Sequence, residues 1–183
     1  MNQQNAAVLT HAIKDQQVRF EQLKLLYKPT ILVAASYAVT ALILLLSQWD
    51  VANHHSLLLW LAIMVAIIAY RVITFLLFKK EAADCRDTQK WDRIFLTGTL
   101  LSGLAWGASG TLFFPIGDSL HQIFLVFIMT GMAAGSTTTL SPRRETVIPF
   151  LLLLLTPVAY RLLTEGHLST QLIGGIRAIA LKS

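Results

Sequence analysis

The chain has 183 residues, of which 55% are hydrophobic and only 14% charged, with a mean hydropathy of +0.60 and a formal charge of +5 at pH 7. Soluble domains carry nearer a quarter of charged residues, so this balance excludes an ordinary water-soluble globule. A single cysteine, Cys85, excludes an intramolecular disulfide framework, and basic residues that flank apolar blocks point to lipid headgroups rather than nucleic acid.

Residues 1–28 are polar and lack the short apolar core and small-residue cleavage site of a signal peptide. Leu9, Ile13, Gln16, Phe20, Leu23 and Tyr27 alternate four and three apart, a heptad seam interrupted by one glutamine. Two readings follow. One is a cytoplasmic amphipathic helix resting on the inner leaflet, its basic residues against anionic lipid. The other is a helix that pairs in a homodimer, with Gln16 fixing the register. Pro29 marks a break before the membrane domain, residues 29–183.

Five apolar blocks come next: Thr30–Ser47, Ser56–Phe78, Ile94–Phe114, Leu120–Leu140 and Val147–Leu163. Each approaches the roughly 20 residues that a helix needs to cross a bilayer. A weaker block, Leu168–Ala180, contains Gly174, Gly175 and Arg177 and reads as the start of an unfinished sixth span. The expected fold is all-α: a polytopic membrane bundle of five full spans and a partial sixth. Lys14, Arg19, Lys24 and Lys28 precede the first span. Lys79, Lys80, Arg86, Lys90 and Arg93 fall between the second and third, and Arg143 and Arg144 between the fourth and fifth. The Gln48–His55 and Pro115–Ser119 loops carry neither lysine nor arginine. This alternation places the N-terminus and both basic loops in the cytoplasm.

Arg71 is the one charge well inside a block, and about 10 Å of helix separates it from the cytoplasmic end. A long side chain reaches that far, so Arg71 is expected to snorkel to the headgroups. No Asp or Glu lies within the five blocks, which argues against a proton relay or ion path. His54, His55, His121 and His167 fall near the outer face without an i, i+4 pair or an acidic cluster, so no metal or other cofactor is assigned. An imidazole there titrates near neutrality and is suited to sensing external pH. Arg71, Trp106 and His121 stand as candidate signal or ligand residues.

Small residues gather in two places. Gly103, Gly107, Ala108, Ser109 and Gly110 run along the third block, and Gly131 and Gly135 sit four apart in the fourth. Such faces let helix backbones approach closely. With a short connecting loop, the third and fourth spans are expected to lie antiparallel with these faces in contact. Pro149 and Pro157 should kink the fifth span. Ser136, Thr137, Thr138, Thr139 and Ser141 either line a polar pocket or bond back to their own helix. The step Gly107-Ala108-Ser109-Gly110 also looks like the catalytic step of rhomboid intramembrane proteases, with His121 as a candidate base in the same leaflet. The rest of that pattern is missing: Val147–Leu163 holds no histidine, and no His-x-x-x-Asn helix precedes.

At "SGLAWG", "FIMTGMAAG" and "LSPRRE…PFLLLLLTPVA" the chain resembles MASE-like membrane input regions of bacterial signalling proteins. The resemblance covers about residues 20–167. It implies a multi-pass sensory domain of the inner membrane, without catalysis of its own, whose partner is a cytoplasmic GGDEF, EAL or histidine-kinase output domain. The sequence departs from that pattern after His167, where no output motif follows. A small transporter or other membrane-binding module is the alternative, and a Ser109 protease the remote one.

Overall fold

The computed structural model describes residue 18 and residues 20–81, 88–115, 117–141 and 144–180, with side chains in the last segment as far as Thr164. These residues form six helices and their connections, with no β-strand among them. A short helix, α1, covers residues 20–27. It is followed by α2 (Thr30–Gln48), α3 (His54–Glu81), α4 (Thr88–Leu112), α5 (Ser119–Leu140) and α6 (Arg144–Ala180). Apolar solvent demands this economy, because a helix satisfies its backbone hydrogen bonds within one segment. The turns are set by side chains. Asn53 Oδ1 accepts from His55 N at 2.9 Å at the start of α3. Gly117, at φ +82°, turns the chain into α5, where Asp118 accepts from the Leu120 and His121 amides.

Four stretches are long and apolar enough to cross a membrane: Phe20–Gln48, His54–Glu81, Ser119–Leu140 and Arg144–Thr164. The sequence suggests five. The difference is α4, which is long enough at 25 residues but diluted by glycine, serine and threonine. Its position accounts for that composition. Thr99, Ser102, Gly103, Gly107, Ser109 and Gly110 are all buried, because α4 is enclosed by its neighbours and shows little of itself to lipid. Nor is there a separate sixth element: α6 runs unbroken from Arg144 to Ala180. Between the last two apolar blocks stands Gly166 with no proline, and a lone glycine costs a helix only about 1 kcal/mol.

The helices alternate in direction, so α4 and α6 run parallel. Here lies the main departure from the sequence expectation. The glycine face of α4 meets chiefly α6 rather than α5. A Cβ on Gly103 would touch Phe150 and Leu153, and one on Gly110 would touch Val158 of α6 and, less closely, the end of Met129 of α5. A Cβ on Gly107 would overlap the Leu153 carbonyl oxygen itself. Gly131 and Gly135 of α5, expected to complete the seam, have nothing within 4 Å of their Cβ positions.

The described half of the N-terminal seam is filled from within the chain. Leu23, Leu26 and Tyr27 are each 2% exposed. Tyr27 stacks on Phe78 with centroids 4.2 Å apart, and the edges of Trp91 and Phe95 complete the cluster. So the described residues of α1 dock on the bundle. Leu9, Ile13 and Gln16 lie outside the described residues, as does Cys85.

Two glycine substitutions separate the roles of the two small faces. Gly107→Ala forces α6 away from α4 and should cost about 1–3 kcal/mol or more. Gly131→Ala meets open space and should be neutral or stabilising by up to about 1 kcal/mol, from helix propensity. Unfolding midpoints of the two purified variants in the same detergent check this ordering. Equal midpoints would contradict the assigned seam.

Candidate functional site

Because α6 occupies the small face of α4, the small face of α5 is left to border a cavity. The cavity lies between α2 and α5 and has a volume of about 560 Å³, within the roughly 300–1,000 Å³ usual for small-molecule sites. Ser36, Tyr37, Thr40 and Ile43 line it from α2, and Phe124, Phe127, Gly131, Met132, Gly135, Ser136 and Thr139 from α5. Leu26, Pro29 and Thr30, at the junction of α1 and α2, border one end. Arg71 of α3 and Phe95 of α4 form its floor.

Arg71 does not snorkel. It is 7% exposed. It belongs to the buried stripe Leu57, Trp60, Met64, Ile67, Arg71 and Phe78, whose three- and four-residue steps face the bundle. Its Nη1 donates to Ser102 Oγ at 3.3 Å. Its guanidinium carbon stands 5.4 Å from the Phe95 ring centroid and 5.8 Å from that of Tyr37. The ion pairs Lys24–Glu21, Lys90–Glu81 and His121–Asp118 do not involve Arg71, and no described carboxylate stands within salt-bridge distance of it. Burying a charge carries a desolvation cost of several kcal/mol. Two aromatic faces return about 1–2 kcal/mol each at best. A guanidinium also has five N–H donors, of which the one bond to Ser102 uses a single one.

The remaining walls are graded. Thr30, Ser136, Thr138 and Thr139 lie toward one end, and Ile43, Phe124 and Phe127 toward the other. The hydroxyl end is also the basic end of the bundle, where Lys28, Lys79, Lys80, Lys90, Arg93 and Arg144 fall at helix termini. Ser136 donates to Met132 O at 2.8 Å, Thr138 to Gly135 O at 2.8 Å and Thr139 to Gly135 O at 3.2 Å. The α5 hydroxyls thus both line the cavity and bond back to their own helix. The protons of these α5 hydroxyls are committed, which leaves Arg71 and the unpartnered buried hydroxyl of Thr30 to meet an anion.

The three candidate residues are not brought together. Trp106 is fully buried, with its ring edge-to-face on Tyr37 and Trp60 at 6.0 and 5.4 Å. It backs the cavity through Tyr37 but does not line it. Trp60 in turn donates from Nε1 to Ala105 O at 2.7 Å and packs on Phe113. His121 sits at the opposite end of α5 from the hydroxyl cluster, its Nδ1 2.6 Å from Asp118 Oδ2. The His121 amide, then its ring, hold the Asp118 carboxyl below the usual carboxylate range.

Ser109 is fully buried, and its Oγ donates to Trp106 O of its own helix at 2.6 Å. That bond commits the hydroxyl proton to its own helix, and among the described residues no histidine accepts from it. His54 packs edge-on against Trp49, and the side chain of His167 lies outside the described region. Among the described residues no group of three His, Cys, Asp or Glu is placed to hold a metal ion. Tyr37, Phe95 and Ser102, which surround Arg71, are absent from the sequence-derived candidates. The signal that finds them is helical spacing: residue 71 continues the 57-60-64-67 stripe and must point where those residues point.

No protein-family model, curated protein or solved structure matches this chain. What the fold itself defines is an all-helical bundle with four helices able to span a membrane and a cavity floored by a buried arginine.

Three outcomes follow. Arg71→Met, close in volume and uncharged, should raise the unfolding midpoint by the equivalent of about 1 kcal/mol or more, because it removes an uncompensated buried charge. Ser102 stays satisfied in that variant through its bond to Gly98 O. A lowered midpoint would show Arg71 to be a structural residue. Ser109→Ala should fold normally, and a fluorophosphonate probe should label neither it nor the parent. Labelling of the parent alone would restore the nucleophile. The folded Asp118 carboxyl has a lowered pKa, so its stabilisation is present above 3.8 and lost as pH falls through its folded value. The midpoint difference between the parent and Asp118→Ala should therefore shrink on acidification from pH 7 toward pH 3.

Proposed function

We propose that this chain is a membrane-embedded sensory input module of a bacterial signalling protein, and that its signal is a ligand held in the α2–α5 cavity. The observation that carries this reading is Arg71: a buried cation with no described carboxylate beside it, on the floor of an open cavity. Evolution rarely keeps such a cost in a stable bundle without a use for it. In this reading α4 also crosses the inner membrane, making five spans, and the basic end with the N-terminus faces the cytoplasm. The partner is a cytoplasmic output domain of the GGDEF, EAL or kinase type.

Sensing suits the cavity better than transport. Its floor closes at Tyr37, Arg71 and Phe95, and the rings of Trp106, Trp60 and Phe113 pack beyond. The relay begins at the border formed by Leu26, Pro29 and Thr30. A ligand that draws α2 toward α5 moves this junction, and with it α1, which Tyr27 ties to Phe78 and Trp91. The ligand acts by binding one arrangement of α2 and α5 better than the other.

Spin labels test this directly. In a Cys85→Ser background, Val39→Cys and Ala134→Cys place labels on exposed positions of α2 and α5 outside the cavity lining. Electron–electron distances are measured in phosphatidylcholine vesicles with and without added bacterial polar lipid extract. The sensory reading expects the distance distribution to shift with the extract. One unchanged distance under both conditions would argue for a passive bundle.

A further inference from the structure

We propose that the occupant of the α2–α5 cavity is a single-chain amphiphile with a carboxylate headgroup, a fatty-acid-like ligand taken up sideways from the bilayer. This deepens the sensory reading and rests on the cavity being the ligand site. Charge supplies the first argument. One guanidinium on the cavity floor, with no described carboxylate, balances one negative charge. A carboxylate carries one, and its two oxygens match the planar fork of arginine. A phosphate monoester would bring a second charge into a low-dielectric site whose described lining holds no second cation to meet it.

Polarity supplies the second argument. The ligand's head sits at Arg71, beside the end of the cavity that Ser136 and Thr139 line. Its chain then runs toward Ile43, Phe124 and Phe127. Access and volume complete the case. Leu32 and Phe127, both on the cavity lining, are 69% and 75% exposed on the outer surface of the bundle, so the cavity opens sideways where lipid would stand. A volume of about 560 Å³ houses one alkyl chain and a small headgroup, not the two chains and larger headgroup of a phospholipid. Gly131 and Gly135 keep the α5 wall low along the path of the chain, with nothing within 4 Å of their Cβ positions.

The test uses the full chain in phosphatidylcholine nanodiscs, titrated with tritiated hexadecanoate, with empty discs subtracted. Saturable binding at one site per chain is expected. Unlabelled octadecanoate should displace it, while hexadecanol and hexadecyltrimethylammonium should not. Arg71→Gln should weaken binding about tenfold or more, as loss of a charged hydrogen bond implies. Gly131→Leu should abolish it by filling the cavity from the α5 wall without removing the guanidinium, at an unfolding midpoint no lower than the parent's. That variant carries the test should Arg71→Gln fail to fold. Absence of saturable binding, or equal displacement by hexadecanol, would overturn the proposal. So would displacement by phosphatidylglycerol, which would assign the cavity to a two-chain lipid. If the spin-label distance responds to lipid extract while hexadecanoate does not bind, the ligand class is wrong and the site stands. If Gly131→Leu leaves both readouts untouched, the cavity is not the site.

Discussion

The arrangement of this bundle depends on one close approach, between the Gly107 backbone and the Leu153 carbonyl oxygen. Pro157 stands four residues beyond Leu153 inside α6 and has no N–H, so that carbonyl lacks its helical donor. The hydrogen that Gly107 carries in place of a side chain points at the same oxygen. A Cα–H···O contact of this kind is worth only about 0.5–1 kcal/mol. Its larger effect is geometric. It fixes α6 against α4 in a parallel register that no side chain larger than hydrogen permits.

Everything around the cavity follows from that choice. With α6 seated in the α4 seam, α5 is held off α4 and its own small face turns toward α2. The opening between α2 and α5 is therefore not a packing fault but the remainder of a better packing elsewhere. Arg71 projects from α3 into the floor of that remainder, supported by Ser102 and by the faces of Tyr37 and Phe95. The aromatic column of Trp106, Trp60 and Phe113 makes the adjoining half of the bundle solid. One half is thus filled, and the other hollow and charged. In the proposed sensory reading a ligand would bias the hollow half, since it can bias only the part that is free to move.

Much of the fold is legible in the sequence because bilayer physics is permissive about detail and strict about length. Runs such as Ser56–Phe78 and Leu120–Leu140 announce their helices, and the structure places both within a few residues of those bounds. Partner choice is less legible. Gly103-x-x-x-Gly107 says that some backbone comes close but not whose, and loop length favours α5 when proline chemistry at position 157 favours α6. The depth of Arg71 along the helix points to snorkelling. Its direction around the helix decides the outcome, and the 57-60-64-67 spacing already contains it. Ser109 shows the opposite hazard: a four-residue step suggestive of a nucleophile is a buried hydroxyl bonded to its own helix.

The account stands or falls on which helix takes the glycine face of α4. In a Cys85→Ser background, Gly103→Cys paired with Leu153→Cys brings two sulfurs together on α4 and α6. The Leu153 Cβ lies 3.3 Å from the position a Cβ on Gly103 would take, close to the roughly 3.5–4.5 Å found across disulfides. Copper-phenanthroline oxidation in native membranes, read by mass spectrometry of the linked peptides, should give this cross-link in high yield. Gly103→Cys paired with Gly131→Cys, joining α4 to α5, should give none. A cross-link from α4 to α5 with none from α4 to α6 would contradict the seam, the cavity and the placement of Arg71 together.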